Sequence, residues 1–248
     1  SDLPELSKML CDRRLGVGAD GLLALNAPET SDVDYTMAYR NADGSDAGMC
    51  GNGARCLALF AFSKGLQLQQ RFNVHDKVYE AKILSQNEVS ISFPIETRIN
   101  KIENLPVSPL YQVFTGTEHV VSVVDEPQLE ETDKLRETGR RIRNHKKFKP
   151  TGTNVNFISG VGDDAAVRIR TFEKGVENLT LACGTGAIAG ALVWHHLHPN
   201  SETPKRMTLQ ADGGNLTVSF SYNPETETYS DIRLEGPAHF VFDGTYHM

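Results

Sequence analysis

Met49-Cys50-Gly51-Asn52-Gly53-Ala54-Arg55 and Ala182-Cys183-Gly184-Thr185-Gly186-Ala187 share one frame, Cys-Gly-x-Gly-Ala, which occurs once in each half of the chain. Each copy opens an apolar segment of helical character, residues 56–62 after the first and 188–194 after the second. Both cysteines are thus expected at helix N-termini, where unpaired backbone N–H groups point outward and the dipole favours negative charge. Such a setting lowers a thiol pKa and yields a usable thiolate. The adjoining glycines let a ligand approach the backbone closely. Two buried core cysteines would need no glycine after them, and their shared frame would be coincidence. The repeat instead predicts two matched half-sites, each with one sulfur and one set of anion-binding amides.

Outward from these elements, the patterning alternates again. A helix is expected over 3–14, with Pro4 near its start, then strands at 21–25 and 35–40 before the first cysteine helix. Strands are expected at 78–84, 89–93, 111–114 and 119–124, a charged helix near 130–144, and strands at 155–159 and 166–171 before the second cysteine helix. Strand patterns at 207–210, 216–221, 231–234 and 239–242 close the chain, with turn signals at Asp212-Gly213-Gly214 and Asn223-Pro224. The order is strands, cysteine helix, strands, twice over. It predicts an α/β (α+β) fold of two similar domains facing each other across a cleft, their sheets mostly antiparallel or mixed. The boundary is placed near 112, giving domains 1–112 and 113–235.

Composition narrows the function classes. With 248 residues, 39% hydrophobic and 23% charged, the chain fits two modest globular domains or one large one. No apolar run is long enough to span a bilayer, and the polar first segment is not a signal peptide, so a cytoplasmic protein without membrane contact is expected. A net charge of −7 argues against nucleic acid. The four cysteines are too few for a disulfide scaffold and lack Cys-x-x-Cys, so no metal is expected, and Cys11 and Cys56 read as small buried apolar residues. Gly16-Val17-Gly18-Ala19-Asp20-Gly21 matches a dinucleotide fingerprint by letter, but it follows a helix and precedes a strand, so it reads as a turn. The basic run from Arg140 to Lys147 reads as a solvated helix end, and His195, His196 and His198 as a surface helix end.

Two thiols across a cleft suit one reaction. A thiolate removes a proton from an activated carbon and a thiol returns one to the opposite face, inverting the centre. The α-carbon of an amino acid qualifies, because its carboxylate gains charge that two helix N-termini can meet. No cofactor is required where the site is dry. Glu173 and His119 are candidates to help the thiols change protonation state, although spacing alone favours reading each as a surface residue at a strand end.

Residues 41–45 and 49–56, with Leu181-Ala182-Cys183-Gly184-Thr185-Gly186-Ala187, closely resemble the two active-site signatures of diaminopimelate epimerases. Residues 152–157, 170–175 and 236–244 resemble further segments of that family in family order. The resemblance implies a cofactor-independent isomerase interconverting LL- and meso-diaminopimelate in lysine and peptidoglycan-precursor synthesis. It implies two pseudo-symmetric domains, each a sheet around a central helix, with a C-terminal strand (236–248) completing the first, and a cytoplasmic homodimer. Carried over by position, Cys50 and Cys183 are the acid/base pair, assisted by His119 and Glu173. Gly51, Asn52, Gly184 and Thr185 hold the reacting carboxylate, Asn41 and Asn154 read the distal end of the substrate, and Glu173 and Lys174 complete the site. Lys174 stands where the family usually has Arg, which keeps charge but loses a bidentate fork. Thr117-Glu118 replaces Asn-Pro or Ser-Pro before the histidine, and the chain begins after the family's Gly-x-Gly-Asn-Asp-Phe segment. These departures keep open a related racemase for another amino acid, such as histidine, and an inactive shortened relative.

Overall fold

The computed structural model describes residues 2–105, 107, 109–161, 166–199 and 205–246. It divides into two compact units, Ser1–Ile91 with Gly236–Met248, and Ser92–Glu235.

The first unit opens with helix α1 (Leu3–Cys11), followed by strands β1 (Gly21–Asn26) and β2 (Tyr35–Asn41). Asp12 ends α1 three residues earlier than the sequence pattern suggests, because its carboxylate accepts from the N–H groups of Arg14 and Leu15. The Gly16–Asp20 stretch is the turn between α1 and β1, held by Val17 and Gly18 N–H groups on the Leu10 carbonyl. Helix α2 (Gly51–Ser63) then carries the chain to β3 (Gln69–Val74), which pairs parallel to β2. Strand β4 (Lys77–Ser85) lies antiparallel to β3, and β5 (Glu88–Phe93) lies beside β4. A parallel pair needs a crossover, and α2 supplies it.

The second unit repeats that plan with additions. Its first strands are β6 (Asn100–Ile102), β7 (Leu110–Phe114) and β8 (Glu118–Val123), then helix α3 (Thr132–Arg143). Strands β9 (Asn154–Val161) and β10 (Ala166–Glu173) are antiparallel, and the short β11 (Asn178–Thr180) pairs with β10. Helix α4 (Gly184–Leu197) crosses to β12 (Arg206–Ala211), parallel to β10, before the hairpin strands β13 (Gly214–Asn223) and β14 (Thr228–Pro237). The sequence β1-β2-α2-β3-β4-β5 is thus matched by β9-β10-α4-β12-β13-β14, the pseudo-symmetry the repeated motif predicts.

Burial follows from composition. α4 is apolar all round and packs against β7, β8, β9, β10, β12 and β13, so Ala187 to Trp194 are all buried. α3 is mostly charged, and only Leu135, Gly139 and Ile142 are buried, a single stripe packed over β9, β10 and β11. The basic run from Arg140 onward ends this helix in solvent, with Arg143 paired to Glu177.

Three expectations are corrected. The strand expected at 239–242 does not form: residues 238–246 are neither helix nor strand, and Val241 is 88% exposed. Pro237 has no N–H for a ladder, and no strand pairs with the alternating residues beyond it. His195 is buried rather than on a surface helix end, because its Nδ1 lies 3.0 Å from the Tyr229 hydroxyl among Phe220, Tyr222 and Tyr229. Cys56 is exposed, whereas Cys11 is buried as expected.

Gly139 marks the closest approach of α3 to the sheet. A methyl group there would lie 2.6 Å from Phe172 Cβ, an atom fixed to β10. Helix propensity favours Ala by about 1 kcal/mol, but overpacking against an atom that cannot swing away costs about 1–3 kcal/mol. Gly139→Ala is therefore expected to lower stability in urea unfolding. A gain would show that α3 has room to move.

Candidate active site

Both cysteines cap a helix, and their backbones agree. Cys50 precedes α2 with φ −121° and ψ 117°, and Cys183 precedes α4 with φ −127° and ψ 114°. Extended dihedrals let an N-cap carbonyl start the helix while its side chain turns toward the first turn. Ala54 N–H donates to Cys50 O and Ala187 N–H to Cys183 O, both at 2.8 Å. The N–H groups of Gly51, Asn52, Gly184 and Thr185 come before those bonds and lie outside the helical ladder. The second glycine of each element is a packing requirement. A Cβ on Gly53 would meet Leu23 Cδ2 at 3.0 Å, and one on Gly186 would meet Asn156 Oδ1 at 2.5 Å.

In the first unit, Cys50 is half-buried and its sulfur accepts from Gly53 N–H at 3.4 Å. Gly51 is buried, and its carbonyl accepts from Arg55 Nη1 at 3.3 Å. The Asn52 side chain accepts from Arg55 Nη2 at 2.7 Å. Arg55 itself is 4% exposed, with Nε on the Pro237 carbonyl. Asn41 ends β2 and gives its amide to Ser45 Oγ at 3.0 Å, closing the turn that follows.

The second unit gathers more of the expected residues. His119 on β8 is fully buried. Its Nε2 stands 3.0 Å from Thr185 Oγ1, which stands 3.6 Å from Cys183 Sγ. Its Nδ1 stands 3.1 Å from the Asn156 side-chain nitrogen. Burial pulls the His119 pKa down to about 3, and the nearby Lys174 charge acts in the same direction. Asn154 is buried with both ends of its amide engaged, Nδ2 on the Glu118 carbonyl at 3.0 Å and Oδ1 on the Lys174 N–H at 2.8 Å. Asn154 therefore fixes where Lys174 leaves β10. Glu173, the last residue of β10, is half-buried, and burial pushes its carboxyl pKa up. The Glu118 side chain alternates with His119 along β8 and lines a cavity of about 530 Å³ with Glu96, Arg98 and Gln112 instead.

Three polar residues of these half-sites went unread in the sequence: Arg55, Asn156 and Thr171. The available signal for Asn156 was Asn154-Val155-Asn156, two amides on one face of an otherwise apolar strand. Among the described residues no group of three His, Cys, Asp or Glu side chains is placed to hold a metal, and no helix is long and apolar enough to cross a membrane.

A His with a depressed pKa leaves a mark on stability. Between pH about 3 and 6.5 the unfolded chain protonates His119 and the native state does not. Stability is thus complete above the upper limit and falls as pH drops through this window, by at most about 1.4 kcal/mol per unit. Urea unfolding between pH 4.5 and 7, in roughly half-unit steps, should show a steeper acid loss for the native protein than for His119→Gln. Equal slopes would mean the imidazole is not held neutral.

A model of the diaminopimelate epimerase family matches residues 1–90 and 111–240. The diaminopimelate epimerase of Chlorobaculum tepidum is 38% identical over 244 residues, covering 97% of this chain and 90% of that protein. That of Aquifex aeolicus is 35% identical over 243 residues, covering 96% and 83%. Among solved structures, a hydroxyproline epimerase from Agrobacterium vitis superposes with a TM-score of 0.70 at 15% identity, over 96% of this chain and 78% of that one. A phenazine biosynthesis PhzF-family protein of Enterococcus faecalis gives 0.68 at 14%, over 99% and 88%. These two share the fold. Matched over nearly its whole length in sequence, the chain belongs to the diaminopimelate epimerase family and is an isomerase.

Proposed function

We propose that this protein interconverts LL- and meso-diaminopimelate without a cofactor, using Cys50 and Cys183 as a thiolate/thiol pair, in the synthesis of lysine and peptidoglycan precursors. The observation that carries the reading is the repeated N-cap: two cysteines in the same extended conformation, each followed by a glycine and two N–H groups outside the helical ladder. The reaction requires both sulfurs to reach one α-carbon. One takes the proton, and the C–H electron pair moves into the carboxylate. The N–H groups of Gly51, Asn52, Gly184 and Thr185 meet that charge. The other thiol then delivers its proton to the opposite face. His119 and Glu173 assist the sulfurs, and Lys174 and Asn41 read the distal end of the substrate, with Asn154 setting the position of Lys174. A cytoplasmic homodimer is part of the same reading.

Lys174 favours one alternative, a racemase for a different amino acid, since a lysine engages a distal carboxylate without the fork of an arginine. The two readings separate in deuterated water, where α-proton loss is followed for LL- and meso-diaminopimelate, histidine and other amino acids. Exchange on diaminopimelate alone is expected. Exchange on another amino acid instead would overturn the substrate. Cys50→Ala and Cys183→Ala should each lose epimerisation by about 10³-fold or more while keeping the circular dichroism of the fold. Turnover persisting in either variant would refute the two-thiol mechanism.

A further inference from the structure

A fully buried histidine is expected to have both ring nitrogens assigned, and here the neighbours assign them. The Asn156 side-chain nitrogen lies 3.0 Å from the Val120 carbonyl, which can only accept. Its side-chain oxygen accepts from Thr171 Oγ1 at 2.9 Å. The amide therefore cannot be turned around, and the atom it presents to His119 Nδ1, 3.1 Å away, is an N–H donor. Neutral His119 has one proton. With Nδ1 accepting, that proton sits on Nε2, which points at Thr185 Oγ1 3.0 Å away. Asn154 Nδ2 stands farther from Nε2, at 3.5 Å, and donates to the Glu118 carbonyl. The hydroxyl that receives the His119 proton is free to aim its own hydrogen at Cys183 Sγ, 3.6 Å away.

We propose that Asn156 is a positioning residue of the second half-site: it locks His119 as the Nε2–H tautomer, and the Thr185 hydroxyl carries that polarity to the Cys183 sulfur. The inference rests on reading Cys183 as a reacting sulfur. Thr171 orients Asn156, Asn156 orients the imidazole, the imidazole orients the hydroxyl, and the hydroxyl supports the sulfur when it is a thiolate. The β-ladder sets the line. Thr171 pairs with Asn156 across β10 and β9, while His119 pairs with Asn154 across β8 and β9. Gly186 belongs to the device, because any side chain there would strike Asn156 Oδ1, Thr171 Oγ1 and Cys183 Cβ. The charged group acting on His119 is Lys174, which opposes a second proton on the ring and keeps the chain of donors running one way. In this arrangement Thr185 has two parts: its N–H faces the substrate carboxylate and its hydroxyl serves the sulfur.

The test needs no turnover. Two-bond nitrogen–proton couplings in the ¹⁵N-histidine-labelled full chain, with His119→Gln used for assignment, report the tautomer at neutral pH. The Nε2–H form is expected for His119, and an Nδ1–H form would overturn the proposal. Asn156→Asp replaces a donor by an acceptor and should move the proton to Nδ1. If that variant does not fold, Asn156→Leu, which leaves Nδ1 without its donor, should give a mixture of the two tautomers. Iodoacetamide alkylation of the Cys183 peptide against pH, read by mass spectrometry, reports the sulfur. Thr185→Val should raise its midpoint by about one unit, and Thr185→Ser should restore it. An unchanged midpoint in Thr185→Val would sink the relay. Failure of amino-acid exchange would count against the proposed function and leave both of these readouts intact.

Discussion

A helix cannot satisfy its own first N–H groups, and each unit of this protein is arranged around that deficit. The strand before each central helix stops, a cysteine takes extended dihedrals, and the helix begins within one residue. The helix then has to return the chain to a strand parallel to β2 or to β10, which fixes the crossover in each unit. α4 can sit against six strands because its residues are small where the sheet is close: Gly190 faces Ile158, Ile169 and Leu209. The fold thus holds two sets of amides outside the helical ladder at defined positions and leaves the capping side chain as the variable element.

The two caps share a backbone and differ in their surroundings. The Cys50 sulfur receives a backbone N–H from Gly53, and the turn around it is tied down by the buried guanidinium of Arg55. The Cys183 sulfur faces a hydroxyl instead, and behind it stand an imidazole and an amide. The second glycine follows this difference. Gly53 makes room for an apolar neighbour, Leu23, and Gly186 for a polar one, Asn156. A backbone repeat therefore does not make a chemical repeat. In the proposed reaction each sulfur must both lose and gain a proton, and the two would do so with different support.

The repeated architecture was legible because it was written in apolar periodicity and in glycine. What stayed hidden was polar and buried. β3, Gln69–Val74, carries too few apolar residues to read as a strand, yet Gln70 and Asn73 are buried, Gln70 donating to Ala58 O and Asn73 Oδ1 accepting from Thr36 Oγ1. Side chains paired across long sequence distances look like loop residues until the partner is known. His195 was misread for the same reason, since Tyr229, its partner, lies far along the chain. The opposite error occurred at 239–242, where alternation imitates a strand but no neighbour offers a ladder. β6 and β11, three residues each, are too short to carry a period. Among the site residues, the cysteines and glycines were visible as a motif, whereas Asn156 and Thr171 become meaningful only when β8, β9 and β10 are laid side by side.

The low pKa of His119 decides what kind of help it can give. A histidine that stays neutral down to about pH 3 is not a resting cation beside a thiolate. In the proposed relay its influence on the second half-site is directional rather than electrostatic: a donor aimed through a hydroxyl, with no net charge added. Charge there is left to Lys174 and to the helix end. In the first unit the assignment is reversed. Arg55 is a cation buried on neutral oxygens of Gly51, Asn52 and Pro237, and it keeps its charge despite the cost of burial. That cost is borne in the turn that begins with Cys50. One half-site is thus organised by charge and the other by hydrogen-bond direction, on the same backbone.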